Sequence, residues 1–325
     1  MRNIVILILF TFYLDYSYSQ VSSDTTFITH EPVNLKEVNS SYDDYNSCTS
    51  IVLYMYQRLL FSTNRFSKGK NFDLISYRLD LLPIKQYNNI YKTTYSIKPD
   101  TILSDINDIN TDCNEFGPYY KKFDPTHYGR GIDSTLFFIT RDCNDNLDIF
   151  YAKYQYDTYL ATHERLTYFQ GIDFINTSAD EGYLSISNDF KNIYYCSNSG
   201  GNFDIYSVSD TADIDVYQIL KGKANPQIQN ISEINSEFDD KCPLIHWNDW
   251  IVFTSNRKGG FGGYDLYYSE RNNGIWSEPK NFGDKINSEF DEYRPIIIEG
   301  KFMIFSSNRP QGLGGFDLYL VEIEW

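Results

Sequence analysis

Two stretches near the C-terminal end of the chain repeat one another. Ile234–Asn235–Ser236–Glu237–Phe238–Asp239–Asp240 leads to Phe-Thr-Ser-Asn-Arg-Lys-Gly-Gly-Phe-Gly-Gly-Tyr-Asp-Leu-Tyr-Tyr, and Ile286–Asn287–Ser288–Glu289–Phe290–Asp291–Glu292 leads to Phe-Ser-Ser-Asn-Arg-Pro-Gln-Gly-Leu-Gly-Gly-Phe-Asp-Leu-Tyr-Leu. A unit that recurs in this way is one supersecondary block that buries its apolar face only by stacking on copies of itself. The repeat therefore constrains the fold more than any other feature of the sequence.

Fainter copies lie upstream. An opening signal of an apolar residue, Asn, a short polar stretch and paired acids begins near Val38, Ile109, Ile175, Ile234 and Ile286. A closing signal of a hydrophobic residue, Asp and two apolar residues follows each, with its aspartate at Asp73, Asp148, Asp204, Asp265 and Asp317. The copies shorten toward the C-terminus, and the first owes its extra length to Tyr77–Ile109, which reads as an irregular insertion. Loop insertions are thermodynamically mild and often carry what is specific to one protein.

Within a copy, short apolar runs alternate with turn residues. Arg294–Ile298, Lys301–Ser306 and Phe316–Ile323 read as strands, with Asn308–Arg309–Pro310 and three glycines making the turn between the last two. Gly274–Lys280 supplies a fourth strand in the preceding copy. Past the N-terminus no segment keeps a helical period. Four antiparallel strands per unit describe an all-β fold, a β-propeller of five blades. The fifth copy ends after its third strand, and Phe27–Pro32 resembles Ile275–Pro279. The N-terminal strand is therefore expected to complete the last blade and so remove a sheet edge. The alternative is six blades, with a degenerate one inside the first insertion.

The strings at Ser255–Tyr267 and Ser307–Tyr319 resemble the WD-like β-propeller repeat of the TolB type, as found in exported and outer-membrane-associated Bacteroidetes proteins that often also carry an OmpA-like domain. The match stays recognisable at Thr63–Asn64–Arg65. It is degraded at Arg141–Asp142 and Asn198–Ser199, which stand in place of Asn-Arg. The resemblance implies a fold and spans nearly the whole mature chain. It does not imply an activity, because propellers host many, and neither a cell-wall anchor nor a colicin-type role is carried over.

Residues 1–19 read as a signal peptide. Arg2 precedes an apolar core at Ile4–Leu14, and Ser17–Tyr18–Ser19 offers small residues for cleavage. That core is too short to span a membrane. Residues 20–325 then form a single domain that is periplasmic, outer-membrane-associated or secreted. The net charge of −16 disfavours nucleic acid and anionic lipid surfaces. The five cysteines, Cys48, Cys113, Cys143, Cys196 and Cys242, do not occupy equivalent repeat positions and read mostly as small buried residues. In an oxidising compartment Cys113–Cys143, within one copy, is the first pairing to test.

Two sets of polar residues stand out. The aligned aspartates Asp73, Asp148, Asp204, Asp265 and Asp317, with Asn256, Arg257, Asn308 and Arg309, read as structural residues. Each carboxylate is expected to accept turn amides or pair with a turn arginine. The acidic residues of the opening signals, Asp43, Asp44, Glu115, Asp180, Glu181, Asp239, Asp240, Asp291 and Glu292, are expected to gather at one mouth of the channel. Arg65, Arg257 and Arg309 would neutralise some of them across blades. What charge remains would bind a basic partner segment or a divalent cation such as calcium; no other cofactor is indicated. Asp142–Asp148 superficially resembles a calcium loop, but Leu147 occupies the required glycine position, so it reads as a polar hairpin turn. The four histidines are scattered, and neither a HExxH site nor a GxSxG elbow is present. The expected role is a non-catalytic scaffold in the cell envelope that binds a protein or peptide. The alternative is a propeller that binds or cleaves carbohydrate.

Overall fold

The computed structural model describes residues 27–52, 56–85, 91–99, 109–122, 132–143, 145–157, 162–164, 168–212, 214–247 and 249–325. The predicted signal peptide lies outside these residues. Five antiparallel sheets follow the five copies. Blade one comprises Asp44–Val52, Tyr56–Thr63, Asp73–Lys85 and Tyr91–Pro99. Blade two comprises Asn114–Lys122, Ile132–Asp142 and Leu147–Asp157, with Thr162–Glu164 and Gln170–Gly171 sharing the outer edge. Blade three comprises Glu181–Ile186, Ile193–Ser197, Asp204–Ser209 and Gln227–Asn230. Blade four comprises Asp240–His246, Trp250–Ser255 and Asp265–Asn272, with Ile275–Trp276 and Lys280–Asn281 outside. Blade five comprises Glu292–Ile298, Phe302–Ser307 and Asp317–Glu322. The first strands contact one another right round the ring, the fifth meeting the first. They are therefore the innermost strands of a five-bladed propeller.

The ring closes as expected, with the pairing displaced. Val33 and Asn34 pair with Leu320 and Tyr319 of blade five. Of the predicted strand Phe27–Pro32, only Thr29 touches blade five through its backbone, its carbonyl accepting from Glu322 N at 2.8 Å. Phe27 instead bridges Thr94 on the outer strand of blade one, and Ile28 N donates to Thr93 O. Blade four shows the reason. Its outer edge is split at Pro279 into Ile275–Trp276 and Lys280–Asn281, and the second piece pairs Tyr267 and Tyr268. Pro32 interrupts the N-terminal edge in the same way because proline has no amide to donate.

The irregular insertion expected after Tyr77 is, where described, a long hairpin. Tyr77–Lys85 pairs residue by residue with Tyr91–Pro99, and together they extend the outer half of blade one. It contributes to blade one and builds no sixth blade.

Apolar residues from facing sheets fill the spaces between blades. Phe61, Phe137, Phe138, Phe253, Phe302 and Phe305 are fully buried among aliphatic neighbours. A single helical turn, Val216–Leu220, interrupts the pattern in blade three. Asp215 caps it by accepting from Gln218 N, and it buries Val216 and Ile219.

Every innermost strand carries a bulge at one position. The pairing with the second strand slips between Tyr45 and Cys48, Phe116 and Tyr119, Gly182 and Ser185, Lys241 and Leu244, and Tyr293 and Ile296. The bulged residues Asn46, Gly117, Tyr183, Cys242 and Arg294 all have φ between 50° and 59°. Only Gly117 adopts that conformation freely; each of the others costs about 1–3 kcal/mol of backbone strain. The repeat of this geometry in all five blades shows that it belongs to the architecture.

Candidate functional site

The opening Asn of each copy clasps the blade before it. Asn39 accepts from Leu318 N at 2.8 Å and donates to Leu318 O at 2.9 Å. Asn110 does the same to Leu74, Asn176 to Ile149, Asn235 to Ile205 and Asn287 to Leu266. A side-chain amide presents one donor and one acceptor side by side, so it satisfies both backbone groups of a single residue. No other uncharged side chain except Gln offers that pair, which is why Asn recurs five times.

The acids of the opening signals complete these latches. The second acid of each pair is fully buried. Asp44, Glu115, Glu181, Asp240 and Glu292 each accept from the backbone amide and hydroxyl of the Ser or Thr four residues earlier. Arg65, Arg257 and Arg309 pair with Asp44, Asp240 and Glu292. These pairs lie within a blade and not across blades as expected: each arginine follows the second strand, which lies beside the acid on the first. Burial drives the carboxyls of Glu115 and Glu292 above the ordinary range, and their hydroxyl, amide and arginine partners pull them back only in part.

The first acid of each pair bridges between blades. Asp43, Asp180, Asp239 and Asp291 accept from the backbone amides of Phe316, Leu147, Phe203 and Tyr264 in the preceding blade. Asn114 fills this role in blade two, accepting from Phe72 N at 2.9 Å. Turn asparagines of the same blade hold Asp43, Asp180 and Asp291 from the other side, Asn64, Asn198 and Asn308 donating. Asn256 accepts from Asp239 N. Burial pushes the Asp239 carboxyl up, but hydrogen bonds from Tyr264 Oη and Phe203 N and the nearby Lys241 outweigh it, leaving a net lowering. Among the described residues no group of three or more His, Cys, Asp or Glu side chains is arranged to hold a metal ion.

The aligned aspartates of the third strands divide into two classes. Asp265 accepts from the amides of Phe261 and Gly262, and Asp317 from those of Leu313 and Gly314. Asn281 and Asn34 of the outer strands also donate to them. These two hold turns, as expected, whereas the arginine alternative fails because the arginines serve the opening acids. Asp204 rests on the amides of Asn202 and Asn230. Asp148 keeps one buried oxygen without a hydrogen-bond partner, and burial raises the carboxyls of Asp73, Asp148 and Asp204.

The turns held by Asp265 and Asp317 present apolar tips. Phe261 and Leu313 are 49% and 48% exposed, and Phe66, in the corresponding turn of blade one, is 61% exposed. The chain kinks sharply and packs on the next blade just behind each tip. A Cβ at Gly262 would overlap the Phe290 carbonyl oxygen, and one at Gly314 that of Tyr42. The turn of blade three is shorter, and there Asn202 Nδ2 reaches Phe238 O at 2.6 Å. Beside the Leu313 turn lies a cleft of about 540 Å³ lined by Pro32, Asn34, Lys36, Tyr95, Arg309 and Gln311, among others.

Aromatic residues close the axis of the ring. Tyr45, Phe72, Phe116, Tyr183, Tyr293 and Phe316 pack on one another from several blades in edge-to-face, tilted and stacked pairs. Arg294 lies among them. At the opposite end of the innermost strand of blade four, His246 lies tilted against Trp247 and stacked on Trp325, with centroids 4.4 and 5.6 Å away, and Trp250 and Tyr268 adjoin Trp325.

Several of these features were not read from the sequence. Arg141 counts there as a degraded turn, yet it lies 3.3 Å from Glu115 and restores the missing charge partner from the second strand. The bulge and Arg294 also escaped notice, although the Xaa-Pro step after the acids at Gly117–Pro118, Cys242–Pro243 and Arg294–Pro295 marks that place. Cys113 and Cys143 are bonded, and Cys48, Cys196 and Cys242 are free and buried.

No family model matches the sequence, and comparison with characterised proteins finds no similar sequence. Solved structures share the fold at low identity. TolB from Acinetobacter baumannii is 14% identical with a TM-score of 0.38, the match covering 81% of this chain and 51% of that one, so the chain spans about half the length of that protein. A putatively assigned TolB from Agrobacterium tumefaciens is 14% identical with a TM-score of 0.37, covering 93% and 91%. An endo-arabinanase of glycoside hydrolase family 43 from Bacillus licheniformis is 10% identical with a TM-score of 0.47, covering 88% and 97%.

Proposed function

We propose that the chain is an exported scaffold that binds a protein or peptide through the turn tips on the latch face of the ring. The observation that carries this reading is the pair of exposed apolar residues, Phe261 and Leu313, whose own amides are fixed by Asp265 and Asp317. An exposed apolar side chain on a rigid turn loses little entropy on binding, so it suits an anchor. Phe66 extends the row onto blade one, and the adjoining cleft can receive a side chain of the partner. A partner segment bearing basic residues complements the charge of −16 and would be steered toward this protein. The Cys113–Cys143 bond fits an oxidising compartment, which supports export. No helix among the described residues is long and apolar enough to cross a membrane.

A pull-down from the native envelope fraction, using the tagged protein and the double variant Phe261→Asp/Leu313→Asp, tests the reading. Proteins recovered by the parent chain and lost by the variant, at equal melting temperature, support it. Equal recovery removes this face as the interface.

One observation favours a second reading, in which the ring binds carbohydrate. Three of the four tryptophans, Trp247, Trp250 and Trp325, gather beside His246, and Trp247 and Trp325 are 62% and 42% exposed. Flat rings of this kind present apolar faces on which a sugar can stack. Retention on a glycan array that is abolished by Trp247→Ala, with no envelope protein recovered, would move the assignment to this reading.

A further inference from the structure

Arg294 crosses the axis of the ring. It is 4% exposed, its N–H donates to Thr254 Oγ1 of blade four, and its Nη2 donates to Pro118 O of blade two at 3.1 Å. Its guanidinium lies 5.3 Å from the centre of the Tyr183 ring of blade three. Among the described residues no carboxylate lies within ion-pair distance of it. The groups that feel its charge most closely are thiols and phenols. Burial outweighs that charge in each of them, pushing Cys48 up to about 12, Cys196 up to about 11, and Cys242 and Tyr183 higher still. None of them supplies a negative charge at neutral pH.

Two polar groups of the innermost strands here lack hydrogen-bond partners, one of them on the cation itself. Arg294 Nε is buried without an acceptor. Asn46, at the equivalent bulge of the neighbouring blade, is fully buried with neither amide atom hydrogen-bonded. Its backbone N–H donates to Ser306 Oγ of blade five, which fixes it beside the strand that carries Arg294. Leaving a buried guanidinium without a counter-charge is strongly unfavourable, and buried donors without acceptors add to the penalty. Both groups present N–H donors at the centre of the ring, where the five innermost strands converge.

We propose that the axis of the propeller binds one small monovalent anion, of the size and charge of chloride, between Arg294 Nε and Asn46 Nδ2. The anion supplies the missing counter-charge and ties blade five to blade one at the level of the bulges. The ligand is small because aromatic rings close the axis on its sides, and it carries no proton because both contacts are donors.

Thermal and urea unfolding in sodium chloride against sodium gluconate, at matched ionic strength, tests this directly. Gluconate is too bulky to enter. Above the dissociation constant, each tenfold rise in chloride should raise the folding equilibrium constant tenfold. Arg294→Met removes the charge that requires a partner, so its stability should be the same in both salts. Asn46→Gly keeps the left-handed backbone and removes one donor, so it should weaken the chloride dependence; it decides the matter if Arg294→Met fails to fold. Crystals grown in bromide should show an anomalous peak beside Arg294. Equal stability of the parent chain in the two salts overturns the proposal, as does an undiminished chloride effect in Asn46→Gly.

Discussion

Removing one latch should be severe, and the structure sets its size. Asn287 is 1% exposed and its amide holds both backbone groups of Leu266, itself fully buried, at 2.8 and 3.0 Å. It also donates to Asn281 Oδ1 at 2.8 Å. In Asn287→Ala the Leu266 N–H stays buried with nothing to bond, while the Leu266 carbonyl keeps only its bond from Phe282 N at 3.1 Å. One unsatisfied buried group costs about 1–3 kcal/mol, so the substitution should destabilise the fold by about that amount. That is a large part of the about 5–15 kcal/mol typical of a folded domain. Equilibrium unfolding in urea, followed by tryptophan fluorescence, measures it against Asn71→Ala on an exposed turn, which should fall within about 0.5 kcal/mol of the parent. Asn287→Asp refines the test. The carboxylate still accepts from Leu266 N but sets its other oxygen against the Leu266 carbonyl. Protonation restores a donor there, so this variant should regain stability as the pH falls. A loss in Asn287→Ala no greater than in Asn71→Ala would refute the latch.

Gly314→Ala forces a Cβ into the Tyr42 carbonyl at the seam where the ring closes, and overpacking of this kind costs about 1–3 kcal/mol. Gly200→Ala meets only ordinary contacts and should be tolerated in the same melting assay. Breaking the Cys113–Cys143 bond, which spans 30 residues, by the double serine variant should cost about 3–4 kcal/mol on the loop-entropy relation, read as a lower urea midpoint. The pH dependence has a defined sign. Burial raises the carboxyls of Glu115, Glu292, Asp73, Asp148 and Asp204 in the fold, so each contributes stability that is present below its unfolded pKa and lost as the pH rises through its folded pKa. The lowered carboxyl of Asp239 works in the opposite sense but titrates below its ordinary value. The melting temperature should therefore rise as the pH is lowered from 7 toward about 5, near the unfolded carboxylate range. A steady fall over that window would contradict the assignment.

The ring was legible because its determinants recur. The opening Asn and the third-strand Asp each appear five times and the acid pair four, with Asn114 standing for its first acid in blade two; the opening Asn and the acids mark contacts between and within blades. What was not legible depends on which neighbour a side chain meets. Asp265 and Asp148 occupy the same repeat position, yet one gathers two turn amides and the other keeps an unpartnered oxygen, because only the longer Gly-Xaa-Gly-Gly turn of blades four and five folds back on its aspartate. Arg141 was hidden because it reaches Glu115 from a strand position that differs from the turn arginines. The closing strand was shifted because Phe27 and Ile28 pair with blade one, whereas their counterparts Ile275 and Trp276 pair within blade four. Arg294 sits inside an apolar run and looks like a surface residue of a strand until a left-handed bulge turns it to the axis.

The same divergence indicates where function is placed on the ring. Blades two and three have no Gly-Xaa-Gly-Gly turn; Arg141 holds the acid of blade two, and Asn202 reaches the next blade from the shorter turn of blade three. Their contacts are preserved while their tips are not. Blades four and five keep both the latch and the apolar tips, and blade one adds Phe66 beside the seam. Under the proposed function, the face spanning blades four, five and one, where these apolar tips stand, is where a partner should be sought first.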